Sequence, residues 1–146
     1  KHIMPTRNAS ASWEGGLKGG NGSVKTETHQ VNGQYHFKSR FGDGTGGTNP
    51  EELVGAAHAA CYSMALSAGL EGDGFTPEYV NTEANVTEDQ VEDGFAITNI
   101  HLVTKAKVPE LDKQKFQEHA EAAKENCPVS KALAGTKITL EAELDG

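Results

Sequence analysis

The chain carries two thiols, Cys61 and Cys127, far apart in sequence. Cys61 falls on the apolar stripe of a predicted helix, where the plainer reading is a small buried hydrophobe. Burial raises a thiol pKa, so reactivity there needs a cation beside the sulfur. The only arginines are Arg7 and Arg40. Arg40 precedes a glycine-rich loop, and its plainer reading is a solvated strand residue. Cys127 stands next to Pro128 at the start of a predicted helical turn, where the helix dipole favours a thiolate. Local chemistry alone therefore makes Cys127 the more acidic thiol. His58 lies one turn before Cys61 and can meet it on one helix face, which leaves a Cys-His hydrolase dyad open. The plainer reading of His58 is a hydrogen-bonded residue at the edge of the stripe, because a dyad also needs an oriented third group. Glu51 and Glu52 serve the helix start. Glu51 sits about 15 Å from Cys61 along a straight helix, so any joint role needs a second segment or chain. Zinc is a poor fit: the sequence has no Cys-x-x-Cys, and its six histidines form neither His-x-x-x-His nor His-Glu-x-x-His. A non-catalytic protein that holds a lipid-like ligand in an apolar pocket also stays open.

The elements that would position these residues are short strands around two helices. Ala9, Ala11 and Trp13 alternate with polar residues before Gly15-Gly16, and residues 24–29 read as a second strand. Asn32-Gly33 is a two-residue hairpin signal. The strand after it is expected to send Tyr35, Phe37 and Phe41 one way and His36, Lys38 and Arg40 the other. Residues 42–47, Gly-Asp-Gly-Thr-Gly-Gly, form a loop without the spacing or Lys-Ser/Thr ending of a phosphate-binding loop. Asn49 as N-cap, Pro50 at N1 and two glutamates then start a helix that should run to about Leu70. Its expected buried stripe is Leu53, Ala57, Cys61, Met64 and Ala68, flanked by Val54 and Ala65. Residues 79–87 and 95–108 read as two strands, with a bulge in the second because Ile97, Ile100, Leu102 and Val103 break strict alternation. Asp112 can cap a further helix with Phe116, His119 or Ala120, and Ala123 inward. Pro128 opens a short turn through Leu133, and residues 137–144 form a last strand. No repeat or linker is evident. The expectation is one α+β domain over residues 1–146, with Met4 as the natural start and residues 1–3 foreign to it.

Composition narrows the function classes. One domain of ordinary size fits 146 residues. Thirteen basic and 21 acidic residues give a formal charge of −8. Such a surface repels phosphate, which argues against nucleic-acid and anionic-membrane partners. No apolar run is expected to reach the length that spans a bilayer, and the start lacks a signal-peptide core. The chain reads as cytoplasmic, where cysteine pairs are more often redox-active or inert than structural.

The segment Thr48-Asn49-Pro50-Glu51-Glu52-Leu53-Val54-Gly55-Ala56-Ala57-His58-Ala59-Ala60-Cys61-Tyr62-Ser63-Met64 closely resembles the reactive-cysteine helix of the OsmC family, the osmotically inducible protein C peroxidases. Cys127-Pro128-Val129-Ser130 is similar to that family's second-cysteine motif. Trp13-Glu14-Gly15, Gly94-Phe95-Ala96-Ile97-Thr98 and Lys137-Ile138-Thr139-Leu140 extend the likeness over nearly the whole chain. The resemblance implies an intertwined α+β homodimer whose curved antiparallel sheets wrap central helices. It implies thiol-dependent reduction of organic hydroperoxides without metal, haem or flavin. Cys61 matches the peroxidatic cysteine, Cys127 the resolving one, and Arg40 with Glu51 the pair that activates the thiolate. The related organic-hydroperoxide-resistance branch takes its arginine from an earlier loop, where this chain has Lys18, so the likeness is to the OsmC branch. An external dithiol, with a lipoyl group as the candidate, is the implied reductant.

Overall fold

The structure, a computed structural model, describes residues 5–146; the expected natural start at Met4 lies outside the described residues. Two compact units, Lys1–Pro50 and Glu51–Gly146, are distinguished by their internal contacts, and each has its own sheet.

In the first unit, β1 (Ala9–Glu14), β2 (Asn21–Thr26) and β3 (Asn32–Tyr35) form an antiparallel sheet in that order. Gly22 is required in β2, because a Cβ there would lie 2.3 Å from the Ser12 carbonyl oxygen and 2.8 Å from both the Trp13 and Tyr35 rings. Those rings close over it with centroids 5.3 Å apart. The expected Asn32-Gly33 turn is not the turn. Thr26 and Val31 close the hairpin instead, with the Thr26 amide donating to the Val31 carbonyl at 2.9 Å and the Val31 amide to Thr26 Oγ1 at 3.2 Å. His29 takes the left-handed conformation between them (φ 64°). The strand expected to continue through Arg40 is also corrected: Phe37–Phe41 is a short helix, α1. His36 caps it. Its Nδ1 accepts from the Ser39 amide while its own amide donates to Ser39 Oγ, a reciprocal pair that fixes the first turn. Phe37 and Phe41, one turn apart, then meet edge to face at 5.2 Å.

The second unit opens with α2 (Pro50–Gly72), the long helix that Pro50 and two acidic first-turn residues predict. It is followed by β4 (Tyr79–Val91), β5 (Gly94–Lys107), α3 (Lys113–Asn126), α4 (Pro128–Ala132) and β6 (Lys137–Asp145). The fold class is α+β, as expected. One pairing departs from an all-antiparallel arrangement: β6 runs parallel to β5. The connection between them holds both α3 and α4, long enough to return the chain to the same end of the sheet, as a hairpin cannot. The bulge falls in β5, where Thr98 is the extra residue opposite Thr87/Glu88. It shifts the alternation by one, so Ile97 and Ile100 both pack toward the core. Beyond it Ile100, Leu102, Thr104 and Ala106 are buried at period two. Asp112 caps α3, accepting from the Lys115 amide at 2.8 Å, and Phe116, Ala120 and Ala123 face inward.

The core face of α2 differs from the expected stripe. Gly55, His58, Tyr62, Leu66 and Leu70 are buried, while Ala57 and Ala68 are exposed and Met64 is 75% exposed. The helix is apolar nearly all round, so hydrophobicity could not select a face; contacts select it, among them the close approach at Gly55, where a Cβ would lie 3.3 Å from Val86 and 3.4 Å from the Ala84 carbonyl oxygen of β4. That composition also corrects the expectation about apolar runs. Residues 53–70 carry no charge, and α2 is long and apolar enough, with a mean hydropathy of 1.3, to cross a membrane by length and composition.

Candidate active site

The second unit brings the two cysteines together. Cys61 projects from the middle of α2 and is partly exposed; Cys127 is wholly buried, and neither is in a disulfide. The backbone of Cys127 is clamped from both sides. Its amide donates to the Ala123 carbonyl at 3.0 Å, ending α3, and its carbonyl accepts from the Lys131 amide at 3.0 Å, starting α4. Pro128 imposes the extended ψ of 126° between these helices and supplies an N1 residue that needs no amide. The Cys-Pro sequence thus turns the chain sharply and presents the sulfur to α2.

The two thiols are near enough to shift each other's pKa, and their surroundings push them apart in acidity. Burial raises the Cys61 thiol, and donation of its proton to Cys127 raises it further, only partly offset by the Val129 amide. Burial also penalises a Cys127 thiolate, yet the Cys61 thiol, the Ser130 amide and hydroxyl and the Val129 amide together outweigh it and lower its pKa. These are sulfur contacts with oriented dipoles; no capping hydrogen bond closes on Cys127. Within this unit Cys127 is therefore the more acidic thiol, through the Cys61 thiol first and the helix-start donors of Ser130 and Val129 after it, while access belongs to Cys61.

His58 is fully buried and is not Cys61's partner. Its Nε2 lies 2.8 Å from Ser130 Oγ, and its Nδ1 has no hydrogen-bond partner. Burial lowers its pKa, which favours the neutral ring. His58 therefore supplies no general base to Cys61, which removes the support for a Cys-His hydrolase. Tyr62 ties the helices that carry the cysteines, its hydroxyl donating to the Ala120 carbonyl at 2.9 Å. The sequence assigns Ser130 no role; its place three residues after Cys127, at N3 of α4, is the signal that points to it. Glu51 stays in the first turn of the unbroken α2, about 15 Å along the axis from Cys61.

Arg40 belongs to the first unit, on α1, with its guanidinium carbon 5.0 Å from the Phe41 ring centroid. There it lines a pocket of about 210 Å³ with Trp13, Leu17, Tyr35, His36, Phe37 and Phe41. An aromatic wall with one permanent cation suits an apolar molecule with a polar end. Among the described residues no group of three or more His, Cys, Asp or Glu side chains could hold a metal ion.

These features define an α+β protein with a two-thiol site. Residues 42–142 match the family model for OsmC-like proteins. The chain is 49% identical over 139 residues to peroxiredoxin OsmC of Escherichia coli, covering 94% of this chain and 96% of that one. It is 37% identical over 94 residues to the organic hydroperoxide resistance protein OhrB of Bacillus subtilis, covering 64% and 67% of the two chains. A crystal structure of an organic hydroperoxide resistance protein from Elizabethkingia anophelis superposes with a TM-score of 0.72 at 25% identity, covering 100% and 99% of the two chains. The chain belongs to the OsmC family.

Proposed function

We propose that the protein is a cysteine-based peroxidase that reduces organic hydroperoxides to alcohols. The observation that carries the reading is the pairing of a partly exposed Cys61 with a buried Cys127 near enough to shift its pKa, in a chain half identical to a peroxiredoxin. The Cys61 thiolate attacks the outer peroxide oxygen; the O–O bond breaks, the alkoxide takes a proton and leaves as alcohol, and Cys61 becomes a sulfenic acid. Cys127 then attacks the Cys61 sulfur, water departs, and a Cys61–Cys127 disulfide forms. An external dithiol, with a lipoyl group as the candidate, restores both thiols by exchange.

The donors around Cys127 hold charge there, so Cys61 needs a permanent cation in order to ionise. We assign that role to Arg40, with Glu51 orienting its guanidinium, because both match the family's activating pair. Arginine keeps its proton and its forked donors can serve a carboxylate and a sulfur together. The working form is a cytoplasmic homodimer; the Ala57, Met64 and Ala68 face of α2 supports assembly, being apolar and exposed. Nucleic acid and membrane are not partners in this reading, and no metal or prosthetic group takes part. The test is direct: cumene hydroperoxide added to reduced protein should remove both free thiols of each chain. Two thiols left intact while peroxide is consumed would overturn the scheme.

A further inference from the structure

A buried polar pair next to the cysteines has no part in the scheme above. His58 and Ser130 are 0% and 5% exposed, join α2 to α4 through their 2.8 Å contact, and leave His58 Nδ1 without a partner. That unpartnered nitrogen decides the direction of the contact. A proton on Nδ1 would be a buried N–H with no acceptor, whereas a bare Nδ1 lone pair is the less costly orphan. The proton therefore sits on Nε2 and is donated to Ser130 Oγ. With its oxygen occupied as an acceptor from the ring, the Ser130 hydroxyl is left to donate, and Cys127, three residues earlier at the start of the same helix, is the thiol whose pKa it lowers.

We propose that His58 and Ser130 are positioning residues for the resolving step: His58 fixes the Ser130 hydroxyl so that it donates to Cys127 and holds that sulfur ready to attack oxidised Cys61. The inference rests on the assignment of Cys61 as peroxidatic and Cys127 as resolving. The step itself is balanced without any added oxidant. The Cys127 sulfur forms the S–S bond, the S–O bond of the Cys61 sulfenic acid breaks, and the departing hydroxide leaves as water with the proton released by Cys127. His58 stays neutral throughout, and its function is directional.

The two chemical steps should respond to this pair with opposite signs. Charge held on Cys127 is charge withheld from Cys61, so loss of the Ser130 donor leaves peroxide attack as fast or faster. The resolving step should slow. A hydrogen bond to a charged sulfur changes the thiolate population by about 10-fold to 150-fold. A more basic thiolate recovers somewhat under half of that logarithm as nucleophilicity, which leaves a net slowing of about fourfold to fifteenfold.

The experiment is stopped-flow oxidation of the reduced full chain by cumene hydroperoxide. Dimedone capture followed by mass spectrometry reports the sulfenic acid, and loss of thiols reports the disulfide. Ser130→Ala and His58→Leu should form the Cys61 sulfenic acid no more slowly than the parent and close the disulfide at least about fourfold more slowly. Ser130→Thr, which keeps a hydroxyl, and His58→Gln, which keeps an N–H near the Nε2 position, should recover disulfide formation to within about twofold. Unchanged disulfide formation in Ser130→Ala, equal slowing of both steps, or failure of both conservative variants to rescue would overturn the inference. A parent protein that forms no sulfenic acid at Cys61 would instead overturn the peroxidase assignment beneath it.

Discussion

Removal of the Tyr62 hydroxyl tests how firmly the two cysteine-bearing helices are joined. Tyr62 is fully buried, and burial, reinforced by the charges of Glu121 and Cys127, raises its phenol pKa far above the ordinary value. It is therefore a neutral donor at any ordinary pH, and its one partner is the Ala120 carbonyl of α3 at 2.9 Å. In Tyr62→Phe that carbonyl keeps its intrahelical bond, since the amide of Lys124 lies one turn ahead. The loss is thus one neutral hydrogen bond, about 1 kcal/mol, rather than the 2–3 kcal/mol of a stranded buried acceptor. With a urea slope of about 2 kcal/mol/M for a chain of this size, the midpoint should fall by about 0.5 M. Unfolding of the reduced protein should be followed at fixed concentration, because an oligomer's midpoint moves with concentration. An unchanged midpoint would mean that the α2–α3 tie contributes nothing, and a loss of about 2–3 kcal/mol would mean that Ala120 is left unsatisfied after all.

Three further outcomes follow from the site. Arg40→Ala should raise the pKa of Cys61 alkylation in a Cys127→Ser background and severely slow peroxide attack, with Arg40→Lys also impaired; an unchanged alkylation profile would remove Arg40 from the mechanism. A bulky organic hydroperoxide should exceed hydrogen peroxide in kcat/KM by about tenfold to a hundredfold, since burying about 100 Å² of alkyl surface is worth about 2.5 kcal/mol before binding costs; equal values would sink the apolar-substrate reading. Sedimentation should give about twice the 15.5 kDa chain mass at micromolar concentration, and a fully active species at the single-chain mass would refute the dimer.

Local chemistry was legible where one residue type decides the backbone. Asn49-Pro50 and the following glutamates marked the start of α2, Asp112 marked α3, and Cys127-Pro128 marked the junction that presents the second sulfur. The β5 bulge could be read from Ile97 and Ile100, which cannot share a face at period two without an extra residue. Phe37 and Phe41 were ambiguous by nature. A spacing of four fits one face of a strand and one face of a helix equally, and the reciprocal bonds of His36 and Ser39 decide for the helix. The core face of α2 was hidden because its buried residues include a glycine, a histidine and a tyrosine, while alanine and methionine lie outside. Contacts from distant segments set that choice: β4 against Gly55, Ser130 against His58 and Ala120 against Tyr62. The order of acidity of the cysteines agrees with the helix-start reading, but the Cys61 thiol, which lowers Cys127 most, and the burial that closes Cys127 to substrate required the fold.

The central claim is the division of labour between the two sulfurs, and one paired measurement tests it most directly. Reduced Cys61→Ser and Cys127→Ser proteins should each be mixed with cumene hydroperoxide, and the peroxide consumed per chain counted with dimedone present. Cys61→Ser should consume none. Cys127→Ser should consume about one equivalent and carry a single dimedone adduct at Cys61, because the sulfenic acid forms but has no resolving partner. Turnover by Cys61→Ser, or an adduct at Cys127 in that variant, would contradict the account and make the more acidic, buried thiol the nucleophile.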